Sequence, residues 1–199
     1  MSPKQQRGEA TADLLLRAAL RVFVEQGEQK VTVNAVTRAS GVSLGSLYHH
    51  FGSIDGLLAA LGGRLLGRML EELVGSLSAA RDARSGIEAL VTAYLRFTRE
   101  QRDAALFLHS SYADRVGWAQ GRAIRDAQEA RLSPLAAWLD PLVAAGEIAP
   151  LPQPLIEAMI LGPVVAVARR WLAGYGDVDL DEAARELPER IWLALRPGL

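Results

Sequence analysis

The chain has 199 residues, half of them hydrophobic and 23% charged, which suits one sizeable globular domain or a small one joined to a larger. Its formal net charge is -1 and it contains no cysteine, so disulfides, thiolate metal sites and cysteine nucleophiles are excluded. No run of about 18 apolar residues lacks a charge, and the opening "MSPKQQRGEATAD" has no signal-peptide core, so neither a membrane span nor a membrane partner is expected and the expected location is the cytoplasm.

From Thr11 to Gln26 apolar residues recur at Leu15, Ala18, Ala19, Val22 and Phe23, the spacing of one helical face. Thr11 is placed to cap this helix and Gly27 to stop it. Thr32 is placed to cap a short second helix with Val33, Val36 and Ala39 inward, which Gly41 ends. Only Gly41 and Val42 separate it from Ser43, a second capping residue that opens "SLGSLYHHF", with Leu47 and Phe51 as its buried side. Ser53 is placed to cap a longer helix carrying Leu57, Leu58, Leu61, Leu65, Met69 and Leu73 on one side.

The remainder reads as helices between clear breaks. One spans about residues 87 to 101, and the short apolar "DAALFLHSSYAD" leads into a long pattern over about 116 to 145, bent at Pro134 and Pro141. "AGEIAPLPQP" is the plainest loop. Two more helices follow in "LIEAMILGPVVAVARRWLAGYG" and "DLDEAARELPERIWLALRPGL". No segment alternates as a strand would, so the expected fold is all-α.

An enzyme would have to build its site from His49, His50 and His109 with the available carboxylates. Adjacent His49 and His50 point about 100° apart on a helix and cannot act as an i, i+4 metal pair. The serines lack the strand that leads into a nucleophile elbow, and the glycines fit no phosphate-binding spacing. No catalytic residue, metal or cofactor is therefore expected. A helix-turn-helix over about residues 33–52 accounts for more. Its second helix would turn Ser43, Leu44, Gly45, Ser46, Tyr48 and His49 outward, small and polar groups suited to the major groove and phosphates of double-stranded DNA. The rival reading is a helical small-molecule-binding protein or enzyme whose N-terminal unit does not bind DNA.

The stretches "AALRVFVEQG" and "VTVNAVTRASGVSLGSLYHHFGSIDGLL" resemble, in order and without a gap, the N-terminal domain of the TetR family of bacterial transcriptional regulators. The resemblance implies a three-helix DNA-binding domain over residues 10–70 and a larger helical ligand-binding and dimerisation domain over residues 71–199. It implies phosphate contacts from Thr32, Ser46, Tyr48 and His49, and positions near base edges for Asn34, Ser43, Leu44 and Gly45. A carboxamide such as Asn34 can pair bidentately with adenine, and Leu44 can meet a thymine methyl. Lys4 and Arg7 would reach DNA from a flexible arm. Where many relatives carry a phosphate-touching lysine at the start of the fourth helix this chain has Ile54, and Val36 and Thr37 replace the usual "IA". The missing lysine implies a shallower salt dependence of DNA binding.

Family members are usually repressors released from DNA by a small molecule. The matching expectation here is a largely apolar effector among Tyr94, Phe97, Phe107, His109, Tyr112, Trp118, Trp138 and Met159. The last two helices suit a homodimer. Ile156, Ile160, Pro163, Val164, Val167 and Trp171 form one stripe of the first, and the small residues Ala158, Gly162 and Ala166 form another. Leu187, Ile191 and Leu195 continue the apolar face of the second.

Overall fold

The computed structural model describes residues 3–110 and 135–198, with side chains from Gln5 onward in the first helix. Among the described residues every regular element is helical. In chain order they are α1 (Pro3–Gln26), α2 (Val33–Ser40), α3 (Leu44–Phe51), α4 (Ile54–Ser76), α5 (Ala83–Glu100), α6 (Arg102–Leu108), α7 (described over 135–144), α8 (Gln153–Leu172) and α9 (Leu180–Leu195). The chain divides into two compact units: Met1–Leu66 with Asp103–Gly121, and Gly67–Arg102 with Arg122–Leu199, each as far as its residues are described. α6 belongs to the first unit.

The first unit is built on the face expected of α1. Leu15, Ala18, Ala19 and Val22 are buried with Val36 of α2, Leu47 of α3 and Leu57, Leu61 and Leu65 of α4. Phe107 of α6 meets Phe23 edge-on, with ring centroids 5.0 Å apart, the arrangement that aromatic quadrupoles favour. The start of α1 differs from expectation. Thr11 lies inside the helix and its hydroxyl donates to the Arg7 carbonyl, 2.9 Å away, so it caps nothing. Pro3 suits a first turn, and Gln5, Gln6, Arg7, Glu9 and Ala10 are good helix formers, so the helix runs back through them. Arg7 therefore stands on a helix rather than in a flexible arm, and the Lys4 side chain is outside the described residues.

In the second unit α5, α8 and α9 pack on one another. Asp82 caps α5: its carboxylate accepts from the Ser85 N–H at 2.7 Å, while the Ser85 hydroxyl accepts from the Asp82 N–H at 3.2 Å. The Ser85 hydroxyl, donating to the carboxylate at 2.6 Å, and the Ser85 N–H together hold the Asp82 carboxyl below its ordinary pKa. The inward face of α5 carries Ile87, Leu90, Val91, Tyr94 and Phe97, and it meets Ile156, Ile160, Val164 and Ala168 of α8 and Leu180, Ile191 and Leu195 of α9 in the buried set. The expected loop after α7 takes part in the packing. Glu147 accepts from the Ala83 N–H at 2.9 Å, adding a second cap to α5, Ile148 is fully buried, and the Ala149 N–H donates to the Leu195 carbonyl at 2.7 Å. The expected long helix over 116 to 145 is described only from residue 135, where it continues through Pro141; Pro134 lies outside the described residues.

Candidate nucleic-acid interface

The α2–α3 unit is fixed by local chemistry at each corner. Thr32 accepts from the Ala35 N–H and Ser43 from the Ser46 N–H, each at 3.2 Å, so both expected caps form. Gly41 takes φ 70°, a left-handed conformation that spares glycine the Cβ clash, and its N–H donates to the Thr37 carbonyl. Ser53 accepts from the Gly56 N–H at 2.9 Å and starts α4. Two fully buried side chains, Val36 and Leu47, pin the pair of short helices to α1. Arg21 of α1 donates to the Ala39 carbonyl, satisfying an otherwise orphaned acceptor at the end of α2.

With the inward face pinned, the remaining residues stand in solvent. Thr32, Asn34, Ser43, Gly45 and His49 are exposed, as are Leu44 at 51% and Tyr48 at 49%. Ser46 is half-buried and its hydroxyl shares a 3.0 Å hydrogen bond with that of Ser43. The eight positions expected to face DNA, from Thr32 to His49, thus lie on α2, α3 and their caps. His50 points elsewhere. A Cβ on Gly8 would lie 3.7 Å from its Cε1, so the ring rests against α1, while its centroid is 5.3 Å from that of His49. Phe51, expected inward, is half-buried, and Ile54 is half-buried at the start of α4.

Sequence reasoning missed Gly8, Arg21 and Gly56. The only available signal for Gly56 was a glycine in the first turn of a helix, where alanine is better by about 1 kcal/mol unless something occupies the space of the Cβ. Here something does: a Cβ on Gly56 would sit 2.1 Å from the Phe51 carbonyl oxygen.

The proposed effector residues are more dispersed. Phe107 belongs to the first unit, against Phe23, whereas Tyr94 and Phe97 are core residues of the second. Burial pushes the Tyr94 phenol up to about 12, with the Arg169 guanidinium opposing in part. His109, Trp138 and Met159 are half-buried, and Trp138 lies across Gly86 of α5. Tyr112 and Trp118 lie outside the described residues. An open groove of about 350 Å³ in the second unit, lined by Ser76, Ala80, Ser85, Glu88, Thr92 and Arg96 among others, uses none of the eight.

On α8 the small-residue stripe Ala158, Gly162 and Ala166 is exposed, beside Leu155 at 47%. Leu187 is half-buried, but Ile191 and Leu195 are buried at 4% and 0%. This corrects their assignment to a subunit interface. The inward face of α9 is consumed by α5 and α8 of the same chain, so neither residue offers surface to a second copy.

Two capped short helices around a left-handed glycine, with the second presenting a polar face, define a helix-turn-helix protein. Residues 15–61 match the family described as bacterial regulatory proteins, tetR family. That family match is confined to the helix-turn-helix segment of the chain. It is 38% identical over 82 residues to the HTH-type transcriptional regulator BetI of Rhizobium meliloti, covering 41% of this chain and 40% of that one. A TetR family transcription regulator from Marinobacter aquaeolei VT8 superposes with TM-score 0.77 at 22% identity, covering 96% and 98% of the two chains. Bacillus subtilis FadR, solved in complex with stearoyl-CoA, gives TM-score 0.70 at 18% identity, covering 89% and 96%. These two likenesses are of fold. The chain spans about half the length of the curated relatives it matches. No described helix is long and apolar enough to cross a membrane, and no described group of three or more His, Asp or Glu is placed to hold a metal.

Proposed function

We infer that this chain is a ligand-responsive transcriptional regulator, a repressor that binds a palindromic operator as a homodimer and leaves it when a small molecule binds. Residues 10–70 act as the reading head and residues 71–199 as the effector and dimer domain. The observation that carries the reading is the outward face of α3. Gly45 lies inside that helix with nothing within 4 Å of a would-be Cβ, between an exposed leucine and a half-buried serine, and close to an exposed tyrosine. Folding alone does not account for these choices, since glycine in a helix interior costs about 1 kcal/mol relative to alanine. A partner surface that approaches the backbone closely does account for them, and the DNA major groove admits a helix in that way. Thr32, Ser46, Tyr48, His49, Arg7 and Lys4 then serve phosphates, and Asn34, Ser43, Leu44 and Gly45 lie over base edges.

Gly45→Ala separates folding from recognition. Thermal stability should hold or rise by up to about 1 kcal/mol, from helix propensity, while DNA affinity falls several-fold because the added methyl keeps α3 off the bases. Unchanged affinity would remove the close-approach argument.

The test of the function is selection of bound sequences from random DNA. The expected product is a palindrome with half-sites about 34–36 Å apart, one helical turn, as two-fold paired reading heads require. Failure to enrich any sequence would sink the regulator reading and favour a helical small-molecule-binding protein.

The exposed Ala158, Gly162 and Ala166 of α8, with Leu155, support the dimer, because small side chains let two helices approach closely. The effector is a largely apolar molecule, and the half-buried Trp138 and Met159 of the second unit support that reading. The acyl-CoA held by the fold-related FadR makes a fatty-acyl ligand the first to try. No cofactor or catalytic step belongs to this function, which is exercised on DNA in the cytoplasm.

A further inference from the structure

We propose that Tyr175, in the turn between α8 and α9, is the anchor through which two copies of this chain associate, its uncovered ring docking on the partner subunit. The inference rests on the homodimer reading above and adds to it the residue that sets the strength of the pairing. It starts from exposure. Tyr175 is 70% exposed, more than any other large hydrophobic side chain among the described residues. A tyrosine so placed gains little from folding, since the hydrophobic gain follows the apolar area removed from water.

The turn nevertheless holds the ring in place. Gly174 and Gly176 on either side take φ 76° and 71°, left-handed conformations that other residues adopt only under strain. Arg170, in the last turn of α8, donates through Nε to both carboxylate oxygens of Asp177 at 2.9 and 2.8 Å, and its Nη2 donates to the same carboxylate. That pair closes the turn and sets the Arg170 guanidinium over the Tyr175 ring, 5.2 Å from its centroid. An exposed ion pair contributes little to stability and each glycine costs backbone entropy, so the fold gains little from the arrangement. A partner gains an aromatic whose ordering cost is already met, and tyrosine is enriched among the residues that dominate binding between proteins.

The surface beside the ring favours a second copy as that partner. Arg170 is the last member of an i, i+4 ridge on α8, Ala158, Gly162, Ala166 and Arg170, all of them exposed, so the turn carrying Tyr175 continues the face assigned to the dimer. The ridge is low, with nothing within 4 Å of a Cβ built on Gly162. It is also electrically balanced, because three members are uncharged and Asp177 offsets the fourth. A two-fold interface brings a patch onto its own image, where an unbalanced charge would repel itself. A partner recognised by charge would find none in excess on this ridge.

The test is sedimentation equilibrium of the full chain over a concentration series, with far-UV circular dichroism to follow the helices. The wild type should be a dimer at the upper concentrations. Tyr175→Ala should keep the helical signal and raise the dissociation constant about thirtyfold or more, the effect of one dominant interface residue. Tyr175→Phe keeps the ring and should stay within about threefold of wild type. Gly162→Leu, whose side chain enters open space in the single chain, should weaken the pairing by more than about tenfold. Leu14→Ala removes an exposed side chain of the other compact unit and should stay within about twofold. Tyr175→Ala pairing as tightly as wild type overturns the proposal and leaves the homodimer reading intact. Equal weakening by Leu14→Ala overturns the assignment to Tyr175, and unaltered pairing of Gly162→Leu overturns the ridge as the docking face. A wild type that stays monomeric at every concentration overturns both readings, and the ring then belongs to a partner other than this chain.

Discussion

Gly56→Ala is expected to destabilise the reading head and lower operator affinity by more than tenfold, although it replaces a helix-breaking residue by the best helix former. Propensity alone would make the change favourable by about 1 kcal/mol. Against this, the new Cβ would sit 2.1 Å from the Phe51 carbonyl oxygen and 3.2 Å from its carbon. The clash is with backbone, which cannot swing aside as the tip of a side chain can. Relief must come from opening the turn at Gly52–Ser53, breaking the Ser53 cap on the Gly56 N–H and moving the end of α3. Overpacking of this kind costs about 1–3 kcal/mol, and more where the neighbour cannot yield. The turn's displacement also carries Tyr48 and His49, one helical turn or less from Phe51, away from their positions. Thermal melting and anisotropy with the selected duplex measure the two effects. Gly75→Ala, in the same helix with nothing within 4 Å of its Cβ, is the control and should be neutral or stabilising. A Gly56→Ala protein with raised melting temperature and unaltered DNA affinity would refute the close approach.

The second large effect belongs to Gly86. It is buried in α5, and a Cβ there would fall 1.9 Å from Cζ2 at the edge of the Trp138 indole, far closer than van der Waals contact allows. Gly86→Ala therefore evicts Trp138 from its seat. The expected loss is about 2–3 kcal/mol after the propensity gain is subtracted, or about 5–10 °C in melting temperature for a chain of this size. Tryptophan emission should shift to the red as the indole meets water. Combining the change with Trp138→Leu gives a double-mutant cycle, in which the two substitutions should be less than additive by at least about 1 kcal/mol. Strict additivity, or a Gly86→Ala protein more stable than the parent, would show that the ring does not lie on that glycine.

Both predictions turn on glycines whose importance was hidden in the sequence, and the contrast with the residues that were visible has a physical basis. Thr32, Gly41, Ser43 and Ser53 could be recognised because capping and left-handed turns are decided within three or four residues of chain. Val36, Leu47 and the leucines of α4 could be recognised because helical periodicity puts them on one face. The outward set from Thr32 to His49 follows from the same periodicity, and the order of motifs supplied the resemblance that the match over residues 15–61 bears out. Thr11 misled because its local context is that of a cap, while the good helix formers before it extend α1 beyond it.

Sequence by itself therefore determined the helical class, the helix-turn-helix with its caps, and which side of α3 is free to meet a partner. Tertiary structure alone decided which apolar stripe is spent inside the chain. Ile191 and Leu195 have the pattern of an interface, yet α5 and α8 cover them, while Ala158, Gly162 and Ala166 of α8 are left in solvent. It also decided that His50 leans on α1 while His49 does not, that Phe107 joins Phe23, and that Gly56 and Gly86 have no room for a methyl. Periodicity states that a face is apolar, but not what covers it. The covering surface comes from residues tens of positions away in the chain, and local pattern carries no information about that distance.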